Sequence, residues 1–343
     1  MRSIKFLVLF CSCLAANSII SQSTEEALHY LQDVTSSIEE FRTETWNVLR
    51  VTVQNRSTSE LESKINSLAE KIESTRKGMV SEEGYYGDLS AKVSMTVFLK
   101  TVHNILTDDY KDIRKLEGKS MSSFYDMEKY LMSQNKANER LSEAGDRLDS
   151  ELMRFAERYK MEVSKKKSPL SKKIEKASLA LSYYNQVYLA YFKVYDQKLK
   201  VYSALKVENM DLVKEELVLL NEYSSESLGR LMILDGFMED DALYMAAVNI
   251  ITQLKYESES VFPLALRAIE KKHIFSMAQG VFESIPEEER TSSDIAHLNG
   301  LIDPLNSAIE KQNEEFARSE TKRDELFNSW NAQILAFFSA YLS

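Results

Sequence analysis

Residues 120–163 read SMSSFYDMEKYLMSQNKANERLSEAGDRLDSELMRFAERYKMEV. Met127, Leu131, Gln134, Asn138, Leu141, Gly145, Leu148, Leu152, Phe155 and Tyr159 are spaced three and four apart, so they fall on one stripe of an α-helix. No proline interrupts the run. At 1.5 Å per residue it predicts a helix about 65 Å long, and a stripe of that length must be buried along other helices.

The same spacing recurs in both directions. Upstream, Leu31, Val34, Ile38, Phe41, Thr45 and Val48 predict a helix over 24–54. Leu61, Ile65, Leu68 and Ile72 predict a second, ending near Gly78. Ala91, Met95, Phe98, Val102 and Ile105 predict a third, after Gly87-Asp88 and reaching Tyr110. Downstream, Ser168-Pro169 opens a helix as N-cap and first residue, running to about Leu205. Further helices are expected over 210–234 and over 240–272, the latter kinked at Pro263. Asp303-Pro304 opens the last, with Leu305, Ile309, Gln312, Phe316, Ser319, Arg323, Leu326, Trp330, Ile334, Phe337 and Tyr341 in register. No period-two alternation competes, and only 9 glycines and 4 prolines punctuate 343 residues. The fold class is all-α. The order of long, short, turn-linked and long helices occurs twice, which predicts two four-helix bundle units related by a weak internal duplication. Their expected spans are 22–164 and 165–343.

The N-terminus carries Arg2 and Lys5 ahead of an apolar run from Phe6 to Ile20, with Asn17 inside it. Cations before a short apolar stretch form a secretory signal peptide. Residues 1–21 are expected to be removed after Ser21, leaving Gln22 first. A lipid anchor on Cys13 or Cys11 is the alternative. Both cysteines lie in this segment, so the mature chain has no thiol for disulfide, nucleophile or metal. The signal takes two cations and no acid with it, and the net charge moves from −10 to −12. That charge opposes nucleic-acid binding, which needs basic patches. The terminal run from Ile334 to Phe338 is too short to span a bilayer, so no transmembrane span is expected after signal removal.

Several strings resemble a known family: Glu26-Ala27-Leu28-His29-Tyr30-Leu31, Glu44-Thr45-Trp46, Tyr86-Gly87-Asp88, residues 105–110, residues 125–131, and Gln134-Asn135-Lys136-Ala137-Asn138-Glu139-Arg140-Leu141. In order and spacing over residues 25–160 they are similar to the spirochaete- and Bacteroidetes-type exported bacterial proteins catalogued as "surface protein", whose function is unknown. The resemblance implies an exported helical protein of the cell envelope, in the periplasm or at the surface. It implies no active site.

Candidate chemistry is sparse. Glu26-x-x-His29 and Glu270-x-x-His273 have di-iron spacing, but one sits on the opening turns of a helix and the other at an expected helix end, not mid-bundle. No catalytic residue, cofactor or metal site is expected. No Ser-His-Asp order, phosphate loop or nucleophile elbow occurs. Two features remain. Gln134 and Asn138 are polar residues inside a seam, either fixing its register or lining a polar cavity. Tyr184, Tyr188, Tyr191 and Tyr195, continued at Tyr202, make a tyrosine stripe, either bundle core or an aromatic platform. These six are the candidate ligand or partner contacts. The expected function is binding or scaffolding without enzymatic activity, toward another envelope protein or cell-surface component. The alternative is a ligand or metal carrier, or an enzyme, with a polar site inside a bundle.

Overall fold

The computed structural model describes residues 15–16, 22–53, 58–81, 83–164 and 167–342. The segment 1–21 read as a signal, with both cysteines, lies outside the described residues, save Ala15–Ala16. That pair and Val163–Ser164 form a two-residue antiparallel ladder. The remaining elements are helical: the fold is all-α. Among the described residues no helix is long and apolar enough to cross a membrane.

Two compact units divide the chain. The first comprises Met1–Asn185 with Phe338–Ser343, the second Gln186–Phe337. The sequence places the division in the loop near residue 165. The compact units divide instead at Asn185/Gln186, within one uninterrupted helix, α7 (Pro169–Lys206). Ser168 caps that helix, its hydroxyl accepting from the Ser171 N–H at 3.1 Å.

In the first unit, the helix expected over 24–54 is two: α1 (Gln22–Thr35) and α2 (Ile38–Val53). The run Thr35-Ser36-Ser37 explains the break. The Thr35 hydroxyl donates to the Leu31 carbonyl at 2.9 Å and the Ser36 hydroxyl to the Asp33 carbonyl at 2.8 Å, so side chains compete with the backbone ladder. Then come α3 (Thr58–Val80), α4 (Ser90–Asn104), a π-turn (Ile105–Asp109), α5 (Tyr110–Glu117) and α6 (Phe124–Arg158). Ser123 caps α6, its hydroxyl accepting from the Asp126 N–H. α4 packs on α3 and α6, burying Met95, Phe98, Leu99 and Val102 with Leu141, Leu148, Leu152 and Phe155.

The second unit holds the rest of α7, then α8 (Met210–Met232), α9 (Ala242–Tyr256), a π-turn (Glu257–Val261), α10 (Phe262–Ser284), α11 (Ser292–Gly300) and most of α12 (Ile302–Leu342). Pro263 lies in the first turn of α10, just after the π-turn. One expectation is corrected: α10 does not stop at Lys272. It continues to Ser284, because only Gly280 interrupts it before Pro286 holds Ile285 extended.

The units share local detail. α3 and α8 both have 23 residues, α4 and α9 both 15, and each π-turn 5. Residues 58 and 210, 90 and 242, 105 and 257, and 110 and 262, which open these elements, are separated by the same number of residues. The turns before α4 and α9 also match. Tyr85 and Asp88 exchange two backbone hydrogen bonds, as do Phe237 and Asp240. Asp88 Oδ1 accepts from the Ser90 N–H, and Asp240 Oδ1 from the Ala242 N–H. Gly84 and Gly236 precede them because a Cβ would lie 2.7 Å from the Asp88 carbonyl oxygen and 2.0 Å from Asp241 Oδ1.

The two central residues of each turn have positive φ: Tyr86 and Gly87 in one, Met238 and Glu239 (φ 70°) in the other. An L residue there costs about 1–2 kcal/mol, of which glycine's extra unfolded-state freedom returns about half. Glu239→Gly, which copies Gly87, is therefore expected to stabilise the protein by about 0.5–1 kcal/mol in urea melts. A loss of stability would show that Glu239 contributes more than its backbone.

Candidate functional site

The expected contacts do not converge. Gln134 is buried in the first unit and donates from Nε2 to the Tyr130 hydroxyl at 2.7 Å. Asn138 is only half-buried, and the seam position beside it belongs to Ala137. Tyr184 packs in the first unit against Phe338, with ring centroids 4.7 Å apart. Tyr188, Tyr191 and Tyr195 belong to the second unit. Tyr188 stacks on Phe192, and Tyr191 packs against Tyr195 and Trp330. Tyr188 and Tyr191 are buried and Tyr195 half-buried, so this stretch is aromatic core and presents no open platform. Burial, and then Tyr195, pushes the Tyr188 hydroxyl well above its ordinary range.

The metal-spaced pair Glu26 and His29 turns to other partners. His29 meets Asp33 at 3.0 Å on the surface, while Glu26 accepts from the Tyr86 hydroxyl. Among the described residues no group of three or more His, Cys, Asp or Glu could hold a metal ion.

The second unit does assemble a buried polar cluster. The π-turn after α9 brings Glu257 inside, at 0% exposure. Arg323 Nη1 donates to both of its carboxylate oxygens, at 3.0 and 3.1 Å. The Ser319 hydroxyl donates to Oε1 at 2.7 Å, and Gln253 Nε2 donates to Ser319 Oγ at 3.0 Å. Lys198, 8% exposed, sits over Tyr195, Tyr202 and Phe327, its Nζ 5.2–5.5 Å from each ring. Ser319 and Arg323 were legible as polar interruptions of the last helix. Glu257 was not, although its signal exists: counting on from Leu243, Ile250 and Leu254 in steps of three and four lands on it.

No known protein family, curated protein or solved structure matches this chain.

The matching element lengths allow the two units to be paired by position. Counting α4 and α9 from their first residues pairs Glu257 with Ile105. The last helices align through Phe155 and Phe337, which pack on Tyr85 and Phe237 at 6.1 and 5.5 Å. Counting back from these pairs Ser319 with Ala137 and Arg323 with Leu141, both apolar and buried in the first unit. The first unit thus holds buried apolar side chains where the second holds Glu257, Ser319 and Arg323. Glu257 is already occupied by Arg323 and Ser319, which leaves it a structural anion rather than a free base.

Lys198 is the strained member. Burial, helped by Arg323 and opposed by Glu257, pushes its ammonium down to about 8 from an ordinary 10.5. Below pH 8 both folded and unfolded chains carry the proton and the burial cost is fully present. Between 8 and 10.5 the unfolded chain binds more protons, so this residue makes stability rise with pH. Lys198→Met is expected to add about 1–3 kcal/mol at pH 7, the lost cation–π contact offsetting part of the gain. It should also flatten the rise between pH 8 and 10 in urea melts. An unchanged pH slope would exclude Lys198 as its source.

Proposed function

We propose that this is an exported, non-enzymatic helical protein of the bacterial envelope that works by binding and scaffolding, its two bundle-like units arising by internal duplication. The observation that carries the reading is an arm on the second unit. The paired positions run together until residue 117 in the first unit and 269 in the second. They resume at 124 and 306. The first unit crosses this interval in a six-residue link, 118–123. The second inserts the end of α10, all of α11 and the start of α12. From 269 to 318 no residue is buried. Yet Ile274, Met277 and Val281 are exposed at helical spacing on α10, and Ile295 and Ile302 on α11 and α12. A run of exposed apolar side chains on a stable helix is a contact surface in want of a partner. The cations and short apolar run of residues 2–20, read as a secretory signal, support an envelope component as that partner.

A photo-crosslinking residue at Met277 or Val281, in cells exporting the full chain, tests this. One discrete adduct is expected from both positions and none from the exposed control Lys111. Equal labelling at all three would reject the arm as a docking element.

The polar cluster favours a second activity of the same binding kind, ligand carriage inside the second unit.

A further inference from the structure

Beside the cluster, α7, α10 and α12 enclose a cleft of about 340 Å³, within the range of small-molecule sites. Tyr202, Leu205, Ala265, Ala268, Ile269 and Phe316 form its apolar walls. Lys206 and Lys272 stand at its edge with one acid, Glu208, which already pairs with Lys272. The exposed Lys206 makes no hydrogen bond or ion pair among the described residues.

The cleft exists because side chains have been cut back. By the same count that pairs the units, Ala265 corresponds to Ile113 and Ala268 to Leu116, while along α12 the lining's Gln312 and Phe316 correspond to Tyr130 and Gln134, one aromatic ring moved by a turn. In the first unit Ile113 is buried and Leu116 is half-buried, so larger side chains stand at these two places. Two large-to-small exchanges one turn apart on α10 remove contacts that the fold would otherwise keep. A packed copy and a hollowed copy of one arrangement point to an occupant for the hollow. Its chemistry follows from the lining: an apolar body against isoleucine, alanine and aromatic walls, and an anionic end at Lys206 and Lys272.

We infer that the cleft of the second unit binds a free fatty acid, its acyl chain between α7, α10 and α12 and its carboxylate at Lys206 and Lys272. The inference rests on the duplication reading, and Lys272 of the cleft lies at the base of the arm. Here the acyl chain supplies the binding and the lysines the preference for acid over alcohol.

Dansyl-undecanoic acid titrated into the full mature chain, then displaced by tetradecanoic acid or by tetradecanol, tests it. Fluorescence enhancement is expected, with the acid displacing better than the alcohol by about threefold, the scale of an exposed ion pair. Ala265→Ile with Ala268→Leu, which copies the first unit, should lower affinity by more than about tenfold through loss of the apolar volume. Lys206→Glu leaves the core intact. It should remove the preference for the acid while the alcohol still displaces the probe, which keeps the test decisive if the filled variant misfolds. Absence of enhancement would overturn the inference. So would undiminished binding by a folded filled variant, or equal displacement by acid and alcohol in the wild type.

Discussion

Glu257→Ile alone is expected to destabilise the protein by about 3–5 kcal/mol, because it leaves Arg323 buried without its counter-charge. Arg323 Nη1 makes two hydrogen bonds to that carboxylate, and the arginine is 7% exposed. Adding Arg323→Leu and Ser319→Ala should recover the whole loss. The triple variant reproduces Ile105, Ala137 and Leu141 of the first unit, and replacing a buried ion pair by apolar residues that fit is neutral or stabilising by about 1–4 kcal/mol. Urea melts of the single and triple variants decide it. A triple variant as unstable as the single one would show that the cluster is needed for folding.

Trp330→Ala should cost a comparable about 3–5 kcal/mol. Trp330 is fully buried at the centre of the aromatic core of the second unit, 5.1 Å from Tyr191 between ring centroids. Its indole N–H has no hydrogen-bond partner among the described residues, so its contribution is volume and dispersion, and the paired position in the first unit is Leu148. Trp330→Leu should therefore lose clearly less than Trp330→Ala, both read from denaturant melts by circular dichroism. Equal losses would mean that packing volume is not what Trp330 supplies.

The helical periodicity made the architecture legible. α7 and α12 begin and end within two residues of where capping residues, proline and register place them. What stayed hidden depends on tertiary choices. In α6 the stripe keeps Met127, Leu131, Gln134, Leu141, Gly145, Leu148, Leu152 and Phe155 buried, and only at Asn138 does the neighbouring Ala137 take the inner place; which of two adjacent positions turns inward depends on the facing helix. The Ser36-Ser37 break and the two π-turns arise where local hydrogen bonding competes with an otherwise continuous helix, and periodicity does not see them. The candidate site was half legible. Polar residues in the last seam were visible, but their counter-charge Glu257 became apparent only once the π-turn placed it. The tyrosine stripe was visible as a pattern, while its burial depended on Phe327, Trp330 and Phe338 arriving from a distant helix. The hollow is readable only by comparing the two units position by position.

The binding account is tested most directly by replacing residues 270–305 with the six-residue link 118–123. Both junctions fall at paired positions, and the replaced segment contains no buried residue. The account predicts a chain that still unfolds cooperatively at an undiminished melting temperature and that no longer brings down, from intact envelope, the polypeptide that crosslinks at Met277. A grafted chain that still retains that polypeptide, or that fails to fold, would contradict it.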